Sequence, residues 1–480
     1  MGRVAPARAV ALDAVSERRR RGARMRDLLR SSGGMARLAP CDRALASRLA
    51  LGVTATYGAL DLMIDSHLAG GRRHLEPRVR DALQVAAYEL CWLDTPVSVV
   101  VSQGVELVRS VSPRAAGLAN AVLHHVASED ALAVDAALRR MNDGDSDLLA
   151  PDAALASGMP EWLVYQLISS CGTDACREVA LSQLAPAPVY VAANPALMAE
   201  GETVRRLHEA DLGPVPTALP GSWSLGAPAR LAPSGLVGNA VVFPADLAAQ
   251  VVARIAAPRP GERLLEVGQG RGTKTALLQA AALEAGEFAE IVAIDSQEGK
   301  VRLASSRMAI AGMSAHVASL AFDACALDRP GLPAELTGRF DTVFLDAPCS
   351  GTGTLRRHPE IVWGLERGSV AINRPDGLPA LQLQMLRSAS ARVRRGGALV
   401  YATCSLLSQE DEEVVSEFLE GPEGEGFELV SALDAPGVRS LDEVGRALVA
   451  ADVDPDGTYV THPTPGGCDG HFCARMVRVS

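Results

Sequence analysis

Arg263-Leu264-Leu265-Glu266-Val267-Gly268-Gln269-Gly270-Arg271-Gly272-Thr273-Lys274-Thr275 has the pattern of a strand, a turn and a helix start. An apolar strand ends at an acidic residue, and a glycine-rich turn then opens a helix. Glycines let the backbone approach a ligand, and the helix N-terminus offers free N–H groups. The next apolar run, Ile291-Val292-Ala293-Ile294, ends at Asp295, an acid placed to take both hydroxyls of a ribose. Together these features describe a nucleoside-cofactor pocket; NAD, FAD and S-adenosylmethionine sites all use such a loop. The segment is not a P-loop, because Thr273 separates Gly272 from Lys274 and the glycine spacing is wrong. Working outward, short apolar runs at 263–267, 291–294, 341–345 and 397–402 alternate with helical segments. That rhythm predicts a parallel sheet covered by helices. Phe472 to Val479 reads as an antiparallel edge strand.

Upstream the pattern is different. Val79, Leu83, Ala86 and Leu90, like Leu45, Leu49 and Val53, recur at helical spacing. Residues 1–140 therefore predict an all-α domain of five to seven helices, broken at Ser31-Ser32-Gly33-Gly34, at Gly70-Gly71 and near Ser112-Pro113. The polar stretch Asn142 to Asp147 marks a boundary. A helix is expected from Glu161 after Pro160, and a short strand at Val189 to Ala192. The expected division is 1–140, a connector or small mixed module at 141–238, and an α/β domain at 239–480, in keeping with about 150 residues per domain for 480 residues.

The chain is 48% hydrophobic and 21% charged, enough to bury a core and unlike a disordered chain. Its net charge of -11 alone argues against nucleic acid. Residues 1–80, however, hold 16 arginines against 7 acidic residues, densest at Arg18-Arg19-Arg20-Arg21. Such asymmetry fits either a basic arm or face meeting phosphates or a solvated helical face. Only two basic side chains are lysines, Lys274 and Lys300. Nine irregularly spaced cysteines fit a reducing compartment. No apolar stretch reaches the roughly 18 residues of a membrane span, and the N-terminus lacks the pattern of a secretory signal. A cytoplasmic monomer without a membrane or metal partner is the expectation.

Two further stretches carry chemistry. In Asp341-Thr342-Val343-Phe344-Leu345-Asp346-Ala347-Pro348-Cys349-Ser350-Gly351-Thr352-Gly353, a strand delivers Asp346 and then Cys349. In Gly396-Gly397-Ala398-Leu399-Val400-Tyr401-Ala402-Thr403-Cys404-Ser405, a second strand delivers Cys404. Ligands bind at the carboxyl ends of strands in open α/β sheets, so both cysteines can face one pocket. A thiolate beside a carboxylate suits an electron-poor ring. Carbon 5 of a pyrimidine is a poor nucleophile until a thiolate adds at carbon 6 and makes it enamine-like. Asp346 can accept hydrogen bonds from an amino group and a ring N–H. A paired base is out of reach and must be flipped or single-stranded. Cys171 with Cys176 and Cys468 with Cys473 lack zinc-ligand spacing. Cys41, Cys91 and Cys325 read as core.

These motifs resemble those of the RNA cytosine-C5 methyltransferases. The helical N-terminus is similar to NusB, and Asn120 to Leu123 and Trp162-Leu163 fit the same combination. The whole is most similar to the bacterial 16S rRNA (cytosine-C5)-methyltransferases of the RsmB (Fmu/Sun) family. The resemblance implies an all-α NusB-like domain followed by a Rossmann-like methyltransferase domain with a mostly parallel seven-stranded sheet. It implies S-adenosyl-L-methionine as cofactor and 16S rRNA, or a partial small-subunit particle, as partner. It makes Cys404 the nucleophile, Cys349 the cysteine that assists release, and Asp346 the contact to cofactor and cytosine, with Lys274 beside them. It assigns Gly268, Gln269, Gly270, Arg271, Gly272, Thr273, Lys274, Asp295, Asp323 and Asp346 to the cofactor. The family's loop commonly reads Cys-Ala-Ala-Pro-Gly-Gly-Lys where this chain has Gly268 to Lys274, and its Glu-Asn appears as Glu410-Asp411. A non-catalytic RNA-binding assembly factor with an altered cofactor loop, and the same chemistry on tRNA, are the alternatives.

Overall fold

A computed structural model describes residues 4–68, 75–144, 150–371 and 374–480. They form two compact units. The first comprises residues up to 186 together with 354–365; the second comprises 187–353 and 366–480. The expected 141–238 module is thus divided: its helices Ala150–Ser157 and Glu161–Leu184 fall in the first unit, and its strands in the second. The expected breaks at Gly70-Gly71 and Asp145 to Asp147 lie outside the described residues.

The first unit is helical throughout. Its centre is the helix Pro77–Trp92, in which every residue from Val79 to Cys91 is buried. The expected stripe of Val79, Leu83, Ala86 and Leu90 lies in it, packed with Leu49 and Val53 of the helix Pro40–Ala55. Buried charge is paired within the same core. Arg8 makes a two-pronged bond to Glu89 at 2.6 and 2.8 Å, and Arg80 reaches Asp61 at 3.0 Å and Asp65 at 2.6 Å. Unpaired, such charges would cost several kcal/mol each, on the order of 3–5 kcal/mol.

The run Arg18 to Arg21 is no free arm. It is the last turn of the helix Pro6–Arg21, where cations complement the helix dipole before Gly22 caps it in the left-handed region. Arg18 lies over the Trp363 ring, Arg19 pairs with Asp81, and Arg20 and Arg21 pair with Glu17. Residues 354–365 are held in this unit by the same group. Trp363 Nε1 donates to the Thr54 carbonyl at 2.8 Å, its ring lies 3.7 Å from that of Tyr57, and Arg26 donates to the Arg357 carbonyl at 2.9 Å.

The second unit holds two sheets. A small antiparallel one, ordered β2-β3-β1-β4, contains β1 (Tyr190–Ala193), β2 (Pro214–Pro216), β3 (Ser222–Leu225) and β4 (Val242–Pro244). The large one contains β5 (Arg263–Val267), β6 (Glu290–Asp295), β7 (Val317–Ala321), β8 (Phe340–Asp346), β9 (Val393–Thr403), β10 (Phe427–Val430), β11 (Tyr459–Thr461) and β12 (His471–Arg478). Its order is β10-β12-β9-β8-β5-β6-β7, with β11 pairing β12. β9, β8, β5, β6 and β7 are parallel; β12, β10 and β11 are antiparallel. Successive residues point to opposite faces, so Leu264, Phe344 and Val400 join one core and Leu265, Val343 and Leu399 the other. Both faces being covered explains why these strands read as continuous apolar runs.

The structure corrects three expectations here. The C-terminal strand is antiparallel but internal, lying between β9 and β10, and its burial on both sides reflects that place. β7 is an additional edge strand whose residues are partly buried or exposed and none fully buried, which is why it carries no apolar run. Cys41 is exposed rather than core, on the outer side of its helix.

Candidate active site

The carboxyl ends of β5, β6, β8 and β9 open on one cavity of about 500 Å³. Gly268, Gly270, Lys274, Asp295, Asp323, Asp346, Cys349 and Cys404 all line it. The loop after β5 is built by backbone conformation. Gly268, Gly270 and Gly272 take φ of 91°, 57° and 78°, a region that side chains disfavour. A Cβ on Gly268 would also sit 2.3 Å from the Asp346 carbonyl oxygen. The loop therefore meets the cavity with bare backbone at Gly268 and Gly270.

The other loop residues do not face it. Gln269 is turned inward and buried, donating to Ser319 Oγ at 2.9 Å and Thr275 Oγ1 at 3.3 Å. Arg271 is exposed, and its carbonyl accepts from Arg307 at 3.1 Å. Gly272 and Thr273 line a separate cavity of about 190 Å³. Asp295 ends β6 and is pinned by the Gly270 and Gln297 N–H groups at 3.0 and 2.9 Å, with Lys300 Nζ 3.8 Å away. Asp323 caps the turn after β7, accepting from the Cys325 N–H at 3.0 Å. Sequence reasoning placed Cys325 in the core and gave Lys300 no role; both line this cavity. The scarcity of lysine was the signal for Lys300.

β8 and β9 are adjacent, so their ends bring the cysteines together. Cys349 Sγ and Cys404 Sγ lie 3.4 Å apart, and the Cys404 N–H also points at Cys349 Sγ at 3.4 Å. Lys274 Nζ donates to Asp346 Oδ1 at 2.6 Å. The hydrogen bond from Cys349 lowers the Cys404 thiol, against burial and with the help of the Lys274 charge. The same hydrogen bond, with burial, raises Cys349 well above the usual thiol range. Burial opposes the Lys274 charge, but Asp346 more than offsets it and raises the ammonium. Of the pair, Cys404 is thus the thiol that ionises first, accepting from Cys349, which is held protonated.

Beneath the cavity, burial raises Glu266 to about 8, with the Thr275 hydroxyl bond opposing. Its folded value lies above the unfolded value of 4.5, so stability is fully present below about 4.5 and is lost as pH rises to about 8. Glu266→Gln cannot ionise and removes this limb. Its melting temperature is expected to gain on the parent as pH rises, the difference levelling off above about pH 8. A difference that is the same at about pH 5 and about pH 9 would contradict this. Asp411 is similarly pushed well above the usual carboxylate range by burial, and Thr403 donates to it.

Comparison with known proteins fits this geometry. Residues 253–476 match the model of the 16S rRNA methyltransferase RsmB/F family, and residues 5–128 match that of the NusB family. The chain is 27% identical over 409 residues to ribosomal RNA small subunit methyltransferase B of Salmonella paratyphi B, covering 84% of this chain and 88% of that protein. The protein of the same name from Salmonella typhi matches equally. The solved structure of PH0851 shares the fold with a TM-score of 0.72 at 20% identity, covering 99% of each chain. NSun6 from Pyrococcus horikoshii, solved with SFG, aligns with a TM-score of 0.52 at 16% identity over 68% of this chain and 99% of its own. Residues 253–476 accordingly form a methyltransferase domain of the 16S rRNA methyltransferase RsmB/F type and residues 5–128 a NusB-type region, and the chain is an S-adenosylmethionine-dependent rRNA methyltransferase.

Proposed function

We propose that this chain methylates carbon 5 of a cytosine in 16S rRNA through a covalent adduct on Cys404. The observation that carries the reading is the Cys349–Cys404 pair, 3.4 Å apart in the cavity that also holds the Lys274–Asp346 ion pair. The residues fit S-adenosylmethionine: bare backbone at Gly268 and Gly270, with the Asp295 and Asp323 carboxylates at neighbouring strand ends. When bound, that cofactor supplies an electrophilic methyl group. The unusual side chains of the loop do not obstruct it, since Gln269 points inward and Arg271 outward.

Cys404, as thiolate, adds to carbon 6 of the base and makes carbon 5 nucleophilic. Asp346 accepts from the amino group of the cytosine and, in the adduct, from the protonated ring nitrogen 3, with Lys274 balancing its charge. Adduct formation consumes the Cys404 anion. Ring nitrogen 3 of the adduct takes the Cys349 proton, so that Cys349, now a thiolate, takes the carbon 5 proton after methyl transfer; the freed electron pair expels Cys404 as thiolate, and nitrogen 3 gives its proton to solvent. The target base reaches this depth only if single-stranded or flipped. Substrate is 16S rRNA, naked or within a partial small-subunit particle.

The test is incubation of the full chain with such RNA and methyl-labelled cofactor, followed by nucleoside analysis. The expected product is labelled 5-methylcytidine. Label in another nucleoside, or none while the cofactor binds calorimetrically, would overturn the reading.

A further inference from the structure

Glu410 is fully buried and lies six residues beyond Cys404, yet its bonds go to neither sulfur. Its Oε1 accepts from the Ser350 backbone N–H at 2.8 Å and from Gln382 Nε2 at 2.9 Å. Its Oε2 accepts from Ser405 Oγ at 2.7 Å. Ser350 directly follows Cys349, and Ser405 directly follows Cys404. One carboxylate therefore holds the residue after each cysteine. Gln382, on the helix Leu378–Ser390, adds a bond to the Pro348 carbonyl at 2.9 Å, the residue before Cys349. Glu410 is itself fixed: its carbonyl accepts from the Tyr401 hydroxyl at 2.5 Å, and its N–H donates to the Leu407 carbonyl at 2.9 Å.

An ionised carboxylate only accepts, and each of these contacts is a donor. The arrangement satisfies a buried anion that would otherwise be strongly unfavourable. Apolar packing could close a turn without such a charge. What the carboxylate adds is a shared anchor for two loops that come from different strands. The two loops also meet directly: Gly353 N–H donates to the Cys404 carbonyl and Leu406 N–H to Thr352 Oγ1, both at 2.9 Å, and the Ser350 and Ser405 hydroxyls lie 3.3 Å apart.

We propose that Glu410 is a positioning residue for methyl transfer, tying the Cys349 and Cys404 loops together so that their sulfurs share one hydrogen bond at the cavity. This rests on the two-cysteine reading above. Removing the carboxylate strands the Ser350 N–H and takes from Ser405 Oγ its shortest bond, leaving it only the weaker cross-loop hydroxyl contacts at 3.3 and 3.4 Å to Ser350 and Thr352, so the loops loosen. A misplacement of about 1 Å costs about 100-fold in rate. The cofactor side of the cavity, at Asp295 and Asp323, has no bond to Glu410.

The experiment compares full-length parent, Glu410→Ala and Glu410→Gln by three readouts. These are turnover on 16S rRNA, calorimetric cofactor affinity, and the rate at which diamide joins Cys349 to Cys404, followed by peptide mass. In that oxidation the two thiols lose their hydrogens to diamide, which becomes the hydrazine, as the S–S bond forms. Glu410→Ala is expected to lose about 100-fold in turnover, with a markedly slower bridge and unchanged cofactor affinity. Glu410→Gln keeps one acceptor oxygen and is expected to fall between the two. A merely structural role would lower the melting temperature of both variants and leave the bridging rate at the parent's; that result overturns the proposal. Should the Ala variant fail to fold, the Gln variant decides by the same readouts. A parent that makes no 5-methylcytidine, while the variants still bridge slowly, sinks the reading of the reaction and leaves the loop-anchoring role standing.

Discussion

Cys404→Ala is expected to transfer no methyl group and to form no adduct with RNA containing 5-fluorocytosine. The loss should be at least about 10³-fold, the scale seen when a covalent nucleophile is removed. Cys349→Ala should look different. Cys404 remains to attack carbon 6, but no cysteine stands 3.4 Å away to become the thiolate that takes the carbon 5 proton and lets it leave. That variant is expected to remain attached to unmodified substrate RNA as a band that survives denaturation. Removing the thiol also removes the main influence lowering Cys404, so its adduct should form more slowly as well. Gel electrophoresis of both variants after incubation with RNA and cofactor distinguishes them. Identical behaviour would mean that the two roles are wrongly assigned.

The second large effect concerns Lys274. Its ammonium lies 2.6 Å from Asp346 and helps hold Cys404 as thiolate. Lys274→Met keeps the apolar stem and deletes the charge. The Cys404 thiol should then titrate at higher pH, and its alkylation at neutral pH should slow about tenfold. Methyl transfer should fall further, about 100-fold, because Asp346 also loses the partner that orients it toward the base. Alkylation rates across pH, with peptide mapping to separate the nine cysteines, provide the check. An unmoved profile would show that Lys274 acts only on Asp346.

Much of the catalytic sheet was legible in the sequence because its strands are buried on both faces. The runs at 263–267, 291–294, 341–345 and 397–402 sit within β5, β6, β8 and β9. β7 escaped for the opposite reason: as an edge strand, Val317–Ala321 carries alanine and serine on half-exposed positions. The residues that line the cavity follow strand ends, so Asp295, Asp346 and both cysteines could be found from local pattern alone. The direction of a loop side chain could not. Gln269 and Arg271 sit in the glycine loop, yet both point away from the cavity, since alternate positions carry the left-handed glycines.

Charge left two readings open: the arginine run at 18–21 fitted either a basic arm or face meeting phosphates or a solvated helical face, and its helix turns Arg18 and Arg19 toward Trp363 and Asp81. Those partners lie far along the chain, and no local pattern encodes them. Glu410 is a similar case. Nothing near it in sequence shows that its carboxylate reaches Ser350, sixty residues earlier, because that contact exists only once β8 and β9 pair.

Everything proposed for the reaction depends on Cys404 forming the covalent bond to the base. It is tested most directly by trapping the full chain on 16S rRNA bearing 5-fluorocytosine, with cofactor present, and mapping the linked peptide by mass spectrometry. The expected result is a methylated fluorocytosine attached to Cys404 and to no other residue. Attachment at Cys349 instead, or full methylation of ordinary RNA with no trapped species, would contradict it.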